Sequence, residues 1–243
     1  MSDRHRGVGA DGIILLMDSK EAHFRMRMFN SDGSEGEMCG NGIRCLAGFG
    51  LMTSIVSPST TPVVIETMRG NLPVKPFWEG GKVVRATVGM GEPIIAAEKV
   101  PVLAPGHDRL MDYPLEVKGR TFEISCMSMG NPHAVAFVDT PVDDLPLWEI
   151  GPLVENNPMF PQRVNFEIVN VINGGHLKAR VWERGSGQTQ ACGTGACAIA
   201  VIGRLKGIIG DEVTVSLPGG DLSVRWSGEG DVVLEGPVQE VFE

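Results

Sequence analysis

Apolar and polar positions alternate most clearly in His23-Phe24-Arg25-Met26-Arg27-Met28-Phe29, which puts Phe24, Met26 and Met28 on one face and two arginines on the other. That is the period of a half-buried strand. Ile13–Met17 reads as a short apolar strand before it, and Asn30-Ser31-Asp32-Gly33-Ser34 as a turn after it. Val63–Thr67, the region around Leu72–Lys75, and Lys82–Val88 read as antiparallel strands, separated by turns at Arg69-Gly70-Asn71 and Glu79-Gly80-Gly81. Gly91-Glu92-Pro93 closes this half, and a proline-rich connection with some strand runs on to about Glu123. Ala134–Val138 is a further apolar strand, and His176-Leu177-Lys178-Ala179-Arg180-Val181-Trp182 repeats the alternating basic pattern. Two short apolar helices open from glycine-rich starts, one at Cys39-Gly40-Asn41-Gly42 and one at Cys192-Gly193-Thr194-Gly195.

These elements recur in register. His23 precedes Cys39 by 16 residues and His176 precedes Cys192 by 16, with an arginine four places past each histidine, Arg27 and Arg180. Downstream, Gly70-Asn71-Leu72 before Val74-Lys75 matches Gly220-Asp221-Leu222 before Val224-Arg225. An offset near 150 held over so many positions indicates an internal duplication. The expected fold is α/β of the α+β type: two pseudo-symmetric domains, 1–112 and 113–243, each a mostly antiparallel sheet wrapped around a central helix. The halves differ at their start. Asn131 lies 61 residues ahead of Cys192, whereas 38 residues precede Cys39, so the first half is expected to lack an opening strand and helix.

Composition narrows the function. A chain of 243 residues that is 42% hydrophobic can bury a substantial core, and its 32 glycines and 16 prolines fit many turns and short elements. A net charge of −9 without a basic run argues against nucleic acid or an anionic membrane as partner. The longest apolar run, Ala196–Ile202, is seven residues, against the roughly 20 a membrane span needs. The first residues contain no apolar stretch of the signal-peptide kind. Five cysteines, an odd number, point to reduced thiols in the cytosol.

The paired thiols are the candidate chemistry. A helix start leaves its first backbone N–H groups uncovered, and the glycines keep them accessible to a small anion. The same positive end favours thiolate over thiol, so Cys39 and Cys192 read as two matched bases whose ionisation is lowered from the ordinary cysteine value of about 8.5. Pseudo-twofold repeats are expected to face each other across a cleft. One thiolate would then remove an α-proton from one face of a bound molecule and a thiol would return one to the other. The Gly40–Asn41 and Gly193–Thr194 amides are the natural donors to a substrate carboxylate carrying developing negative charge, without metal or pyridoxal phosphate. Cys45 and Cys197, inside the helices, read as core, and Cys126 as structural. The cysteine spacings do not match a zinc site. Gly-Val-Gly-Ala-Asp-Gly at 7–12 is followed, not preceded, by a strand, so it is not a dinucleotide loop.

Phe29-Asn30-Ser31-Asp32-Gly33-Ser34-Glu35 ahead of Cys-Gly-Asn-Gly, Gly-Asn-Pro-His at 130–133, Trp-Glu-Arg-Gly at 182–185 ahead of Ala-Cys-Gly-Thr-Gly-Ala-Cys at 191–197, and Asp3-Arg4-His5-Arg6-Gly7-Val8-Gly9-Ala10-Asp11-Gly12 together resemble the diaminopimelate epimerases. The resemblance covers the chain from end to end. It implies a cofactor-independent cytoplasmic homodimer interconverting LL- and meso-2,6-diaminopimelate for lysine and cell-wall synthesis. It further implies Cys192 as proton acceptor and Cys39 as donor, with roles exchanged in reverse, and substrate contacts from Asn30, Gly40, Asn41, Asn131, Asn165, Glu183, Arg184, Gly193 and Thr194. His133 and Glu183 would tune the thiols. The family's opening Gly-Asn-Asp-Phe strand, which carries a substrate-binding Asn, has no counterpart here. Two alternatives stay open: a two-thiol racemase of another amino acid such as proline, and an inactive relic or thiol-redox module.

Overall fold

In the computed structural model the described residues are 9–10, 12–30, 33–36 and 38–240. The chain divides into two compact units, one made of residues up to Gly89 together with Glu235 onwards, the other running from Met90 to Leu234. The division expected at 112/113 is therefore drawn elsewhere. A boundary there would cut through a strand that pairs within the second unit.

The first unit holds β1 (Gly12–Met17), β2 (Phe24–Asn30), β3 (Glu35–Gly36), α1 (Gly40–Met52), β4 (Val63–Thr67), β5 (Gly70–Glu79) and β6 (Lys82–Gly89). Its sheet order is β1-β2-β4-β5-β6, with β3 on the edge of β2. Neighbours are antiparallel except β2 and β4, which are parallel, with Phe24 opposite Ile65. The alternation read in the sequence is real: Phe24 and Met26 are buried, and Arg25 and Arg27 lie less deeply on the other face. Ile43, Leu46, Ala47 and Leu51 of α1 are buried, and α1 packs on β1, β4, β5 and β6. Cys45, expected in the core, is exposed, as is half of Phe49 one turn further on. Both lie on the side of α1 opposite its buried stripe, since residues four apart share a helix face.

The second unit contains β7 (Leu110–Val117), β8 (Arg120–Ser128), β9 (Pro132–Phe137), α2 (Leu147–Glu155), β10 (Asn165–Asn173), β11 (His176–Glu183), β12 (Gly187–Gln188), α3 (Gly193–Leu205), β13 (Glu212–Leu217) and β14 (Gly220–Arg225). The sheet order is β14-β13-β11-β10-β9-β8-β7, with β12 on β11. Two pairs are parallel, β9 with β10 and β11 with β13. The β9–β10 crossover is made by α2, whose Leu147, Ile150 and Val154 are buried at helical spacing. From Gly193 to Gly203 every residue of α3 is buried, as an all-apolar helix must be, and strands β8, β9, β10, β13 and β14 pack on it. A second cluster of side chains, including Phe122 edge-to-face on Phe166 at 5.6 Å, fills the other face. Finally β15 (Val233–Pro237) carries the chain from the second unit back to the first.

The duplication is visible in topology. In the first unit β2, β3, α1, β4 and β5 follow one another as strand, edge strand, helix, parallel neighbour and antiparallel hairpin; β11, β12, α3, β13 and β14 do the same in the second.

Candidate functional site

In each unit the central helix begins at a cysteine. Cys192 is the N-cap of α3 with an extended backbone, φ −126° and ψ 113°, and its Sγ accepts the Gly195 N–H at 3.3 Å. Cys39 is the N-cap of α1 at φ −128° and ψ 118°, and its Sγ accepts the Gly42 N–H at 3.3 Å. Both helices are 13 residues long. Sulfur here does what a capping oxygen usually does, satisfying an N–H of the first turn. Glycine at the third helical position is what permits the approach in α3: a Cβ on Gly195 would lie 3.2 Å from Cys192 Sγ and 2.9 Å from Glu167 Oε1.

Around Cys192 the sheet supplies a linked set of polar groups. His133 Nδ1 lies 2.7 Å from Glu167 Oε1, and its Nε2 lies 3.1 Å from Asn131 Oδ1. Asn131 Nδ2 donates to Thr194 Oγ1 at 3.2 Å, which in turn lies 3.5 Å from Cys192 Sγ. His133 and Glu167 come from the parallel neighbours β9 and β10 and are both fully buried. His133, one place ahead of the strand expected at Ala134–Val138, is the second residue of β9. Asn165, two places before Glu167, donates to the Pro132 carbonyl at 2.8 Å and accepts the Arg184 backbone N–H at 2.9 Å. The guanidinium of Arg184 donates to the Gln162 carbonyl at 3.1 Å. Glu183 accepts a short hydrogen bond from Thr189.

The electrostatics around Cys192 run against the sequence expectation. Burial pushes the thiol well above its ordinary value, and the Glu183 and Glu167 carboxylates push it further; the Thr194 hydroxyl and the Gly195 N–H pull it back. The helix start is thus outweighed, and the resting group is a thiol. Burial also raises Glu183, against hydrogen bonds from Thr189 and Cys192 that lower it.

The first unit places its candidates around the start of α1. The Arg44 guanidinium, itself buried, folds back along the helix and donates to the Gly40 carbonyl at 2.9 Å and to Asn41 Oδ1 at 3.1 Å. Asn30, the last residue of β2, closes a turn: its Nδ2 donates to Ser34 Oγ at 3.0 Å and its N–H to the Ser34 carbonyl at 2.8 Å. Most of the 3–12 motif lies outside the described residues. Among the described residues no three His, Cys, Asp or Glu gather as a metal site, and no helix is long and apolar enough to cross a membrane.

The profile of the family described as diaminopimelate epimerase matches residues 1–96 and 125–241. The chain belongs to that family. The diaminopimelate epimerase of Methanococcus maripaludis is 46% identical over all of this chain and 87% of its own length. That of Moorella thermoacetica is 47% identical over 98% of the chain and 85% of its own length. A crystal structure of a probable proline racemase from Agrobacterium radiobacter with bound carbonate superposes with a TM-score of 0.71. At 14% identity, over 98% of this chain and 78% of that one, it bears on the fold alone.

Sequence reasoning missed Glu167, Arg44 and Thr189. Glu167 had a signal: in Asn165-Phe166-Glu167-Ile168-Val169, two polar residues at strand period interrupt a buried apolar run. Arg44, one helical turn after Gly40, could have been placed by its spacing. Thr189 carries no pattern of its own.

Proposed function

We propose that the chain is a diaminopimelate epimerase working by a two-base mechanism, with Cys192 and Cys39 as the proton-transferring thiols. The observation that carries the reading is the repeated helix start: a cysteine N-cap whose sulfur sits 3.3 Å from the third helical N–H, once in each unit of a family member. In the LL-to-meso direction Cys192, as thiolate, takes the α-proton, and the electron pair of the broken C–H bond moves into the adjoining carboxylate. A thiol, Cys39, then protonates the planar carbon from the opposite face and is left as thiolate; the reverse reaction exchanges the roles. The dianionic intermediate gathers charge on its carboxylate, where the Gly40–Asn41 and Gly193–Thr194 amides are the preorganised donors. Asn30, Asn131, Asn165, Glu183 and Arg184 hold the substrate, which has a zwitterion at each end.

A buried thiol beside two carboxylates must lose its proton before it can act. Substrate brings a cationic α-ammonium to that place, which favours the thiolate by charge proximity. Burial with the Glu183 and Glu167 carboxylates sets the starting point, and His133 is held beside them between Glu167 and Asn131. A cytoplasmic location, a role in lysine and cell-wall precursor synthesis and a homodimer belong to the same reading on family grounds. Light scattering at about twice the 26.1 kDa chain mass would bear out the last.

The test is α-proton exchange. Reduced protein incubated with LL-diaminopimelate in heavy water should replace the α-hydrogen with deuterium and form the meso isomer, and Cys192→Ala should do neither. A folded native protein that exchanges no α-hydrogen would reject the assignment, and exchange that persists in Cys192→Ala would reject the thiol mechanism.

A further inference from the structure

Glu155 is the last residue of α2, where the negative end of the helix disfavours an anion. It is nonetheless only 6% exposed, and it takes three donors. Oε2 accepts the Trp182 indole N–H at 2.7 Å; Oε1 accepts the Gly185 backbone N–H at 2.8 Å and Arg163 Nη1 at 3.0 Å. Trp182 and Gly185 are the residues on either side of Glu183-Arg184. The same pair is fixed again by Asn165, whose Oδ1 accepts the Arg184 N–H, and by the pairing of Glu183 with Gly187. Gly185 turns the chain at φ +78°, so its N–H direction depends on what receives it. Helix α2 reaches this place by resting on the Trp182 ring: a Cβ on Gly151 would lie 2.3 Å from the indole.

A carboxylate at the unfavourable end of a helix, buried and clamping both neighbours of two functional residues, is not explained by the needs of the helix. We propose that Glu155 is a positioning residue for the substrate contacts Glu183 and Arg184, acting through Trp182 and Gly185. The proposal rests on the function proposed above, in which those two residues bind diaminopimelate. Glu155 touches no substrate; it fixes the direction in which Glu183 and Arg184 present their side chains, so its removal is felt in substrate affinity before it is felt in proton transfer.

Glu155→Gln tests this. An amide of the same shape can accept from only one side, so either the Trp182 or the Gly185 N–H is left facing an N–H₂ group. KM for LL-diaminopimelate should rise roughly tenfold, the scale of an unmatched buried donor, with kcat changed less. Adding Trp182→Phe removes the clashing indole donor and should bring KM most of the way back. Independently of turnover, hydrogen exchange of the backbone at 183–187 should quicken in Glu155→Gln and slow again in the double variant. Arg163→Met removes one half-exposed donor without burying a mismatch and should raise KM about twofold, which serves if Glu155→Gln does not fold. Native protein without activity would reject the proposed function while the exchange data still judged the clamp. Unchanged exchange at 183–187 in the folded variant, or equal loss of affinity in single and double variants, would overturn the proposal.

Discussion

At the scale of single residues, the environment of Cys192 shows why a helix start alone does not set a thiol's ionisation. A helix N-terminus is worth well under a full charge, while deep burial and two carboxylates act in the other direction. Glu183 shares that environment, and burial lifts its pKa. An acid raised on folding contributes stability that is complete below the usual carboxylate range and is lost as pH climbs through the raised value. Glu183→Gln has no charge to bury and can still accept from Thr189. Its melting temperature should therefore overtake that of the native protein as pH rises from 4 to 8, while substrate binding is lost. Calorimetry across that range decides it: parallel curves would mean that Glu183 does not titrate differently on folding. If Glu183 holds substrate as proposed, stability and function are opposed at this position, as is common where a charge is kept for a ligand.

Among elements, the alternating strands were legible from their local period of two, and the two helices that follow cysteine from the glycine-rich starts and short apolar runs that open them. The repeat was legible because spacing is preserved between the halves: His23 donates its backbone N–H to Val64 of the parallel neighbour β4, and His176 lies opposite Thr214 of the parallel neighbour β13. Helix α2 was not. Pro146 caps it and Pro152 sits inside it, so its signals read as those of a loop. What makes α2 a helix is tertiary: Leu147, Ile150 and Val154 enter the core, and Gly151 lets the backbone meet Trp182. Side-chain contacts such as His133 with Glu167, 34 residues apart, likewise depend on two strands becoming parallel neighbours, which no local pattern encodes. Gly151→Ala puts a methyl inside the indole's contact distance. Overpacking of this kind costs about 1–3 kcal/mol, which for a chain of this length lowers the melting temperature by roughly 2–12 °C. A melting temperature unchanged within a degree would show that α2 can shift off Trp182 freely.

Across the whole molecule, the two units differ in how the chain supplies them. The second is one continuous stretch, Met90–Leu234, while the first needs two segments separated by that stretch. Continuity matters for independent folding, because a unit built from one segment closes its core without first joining distant ends. The second unit also owns its packing: helix α3 is buried among its own strands, and the cluster around Phe122, Ile150 and Phe166 is complete within it. The hydrogen-bonded chain from Glu167 through His133, Asn131 and Thr194 to Cys192 draws on no residue outside it. Residues 90–234 expressed alone should thus give a dispersed amide spectrum and a cooperative thermal transition, with His133 still buried against Glu167. The isolated stretch should be catalytically silent, because the proposed two-base mechanism needs Cys39 as well. A broad, non-cooperative transition would show that the second core depends on the first unit for its stability; turnover by residues 90–234 alone would leave Cys39 without a role.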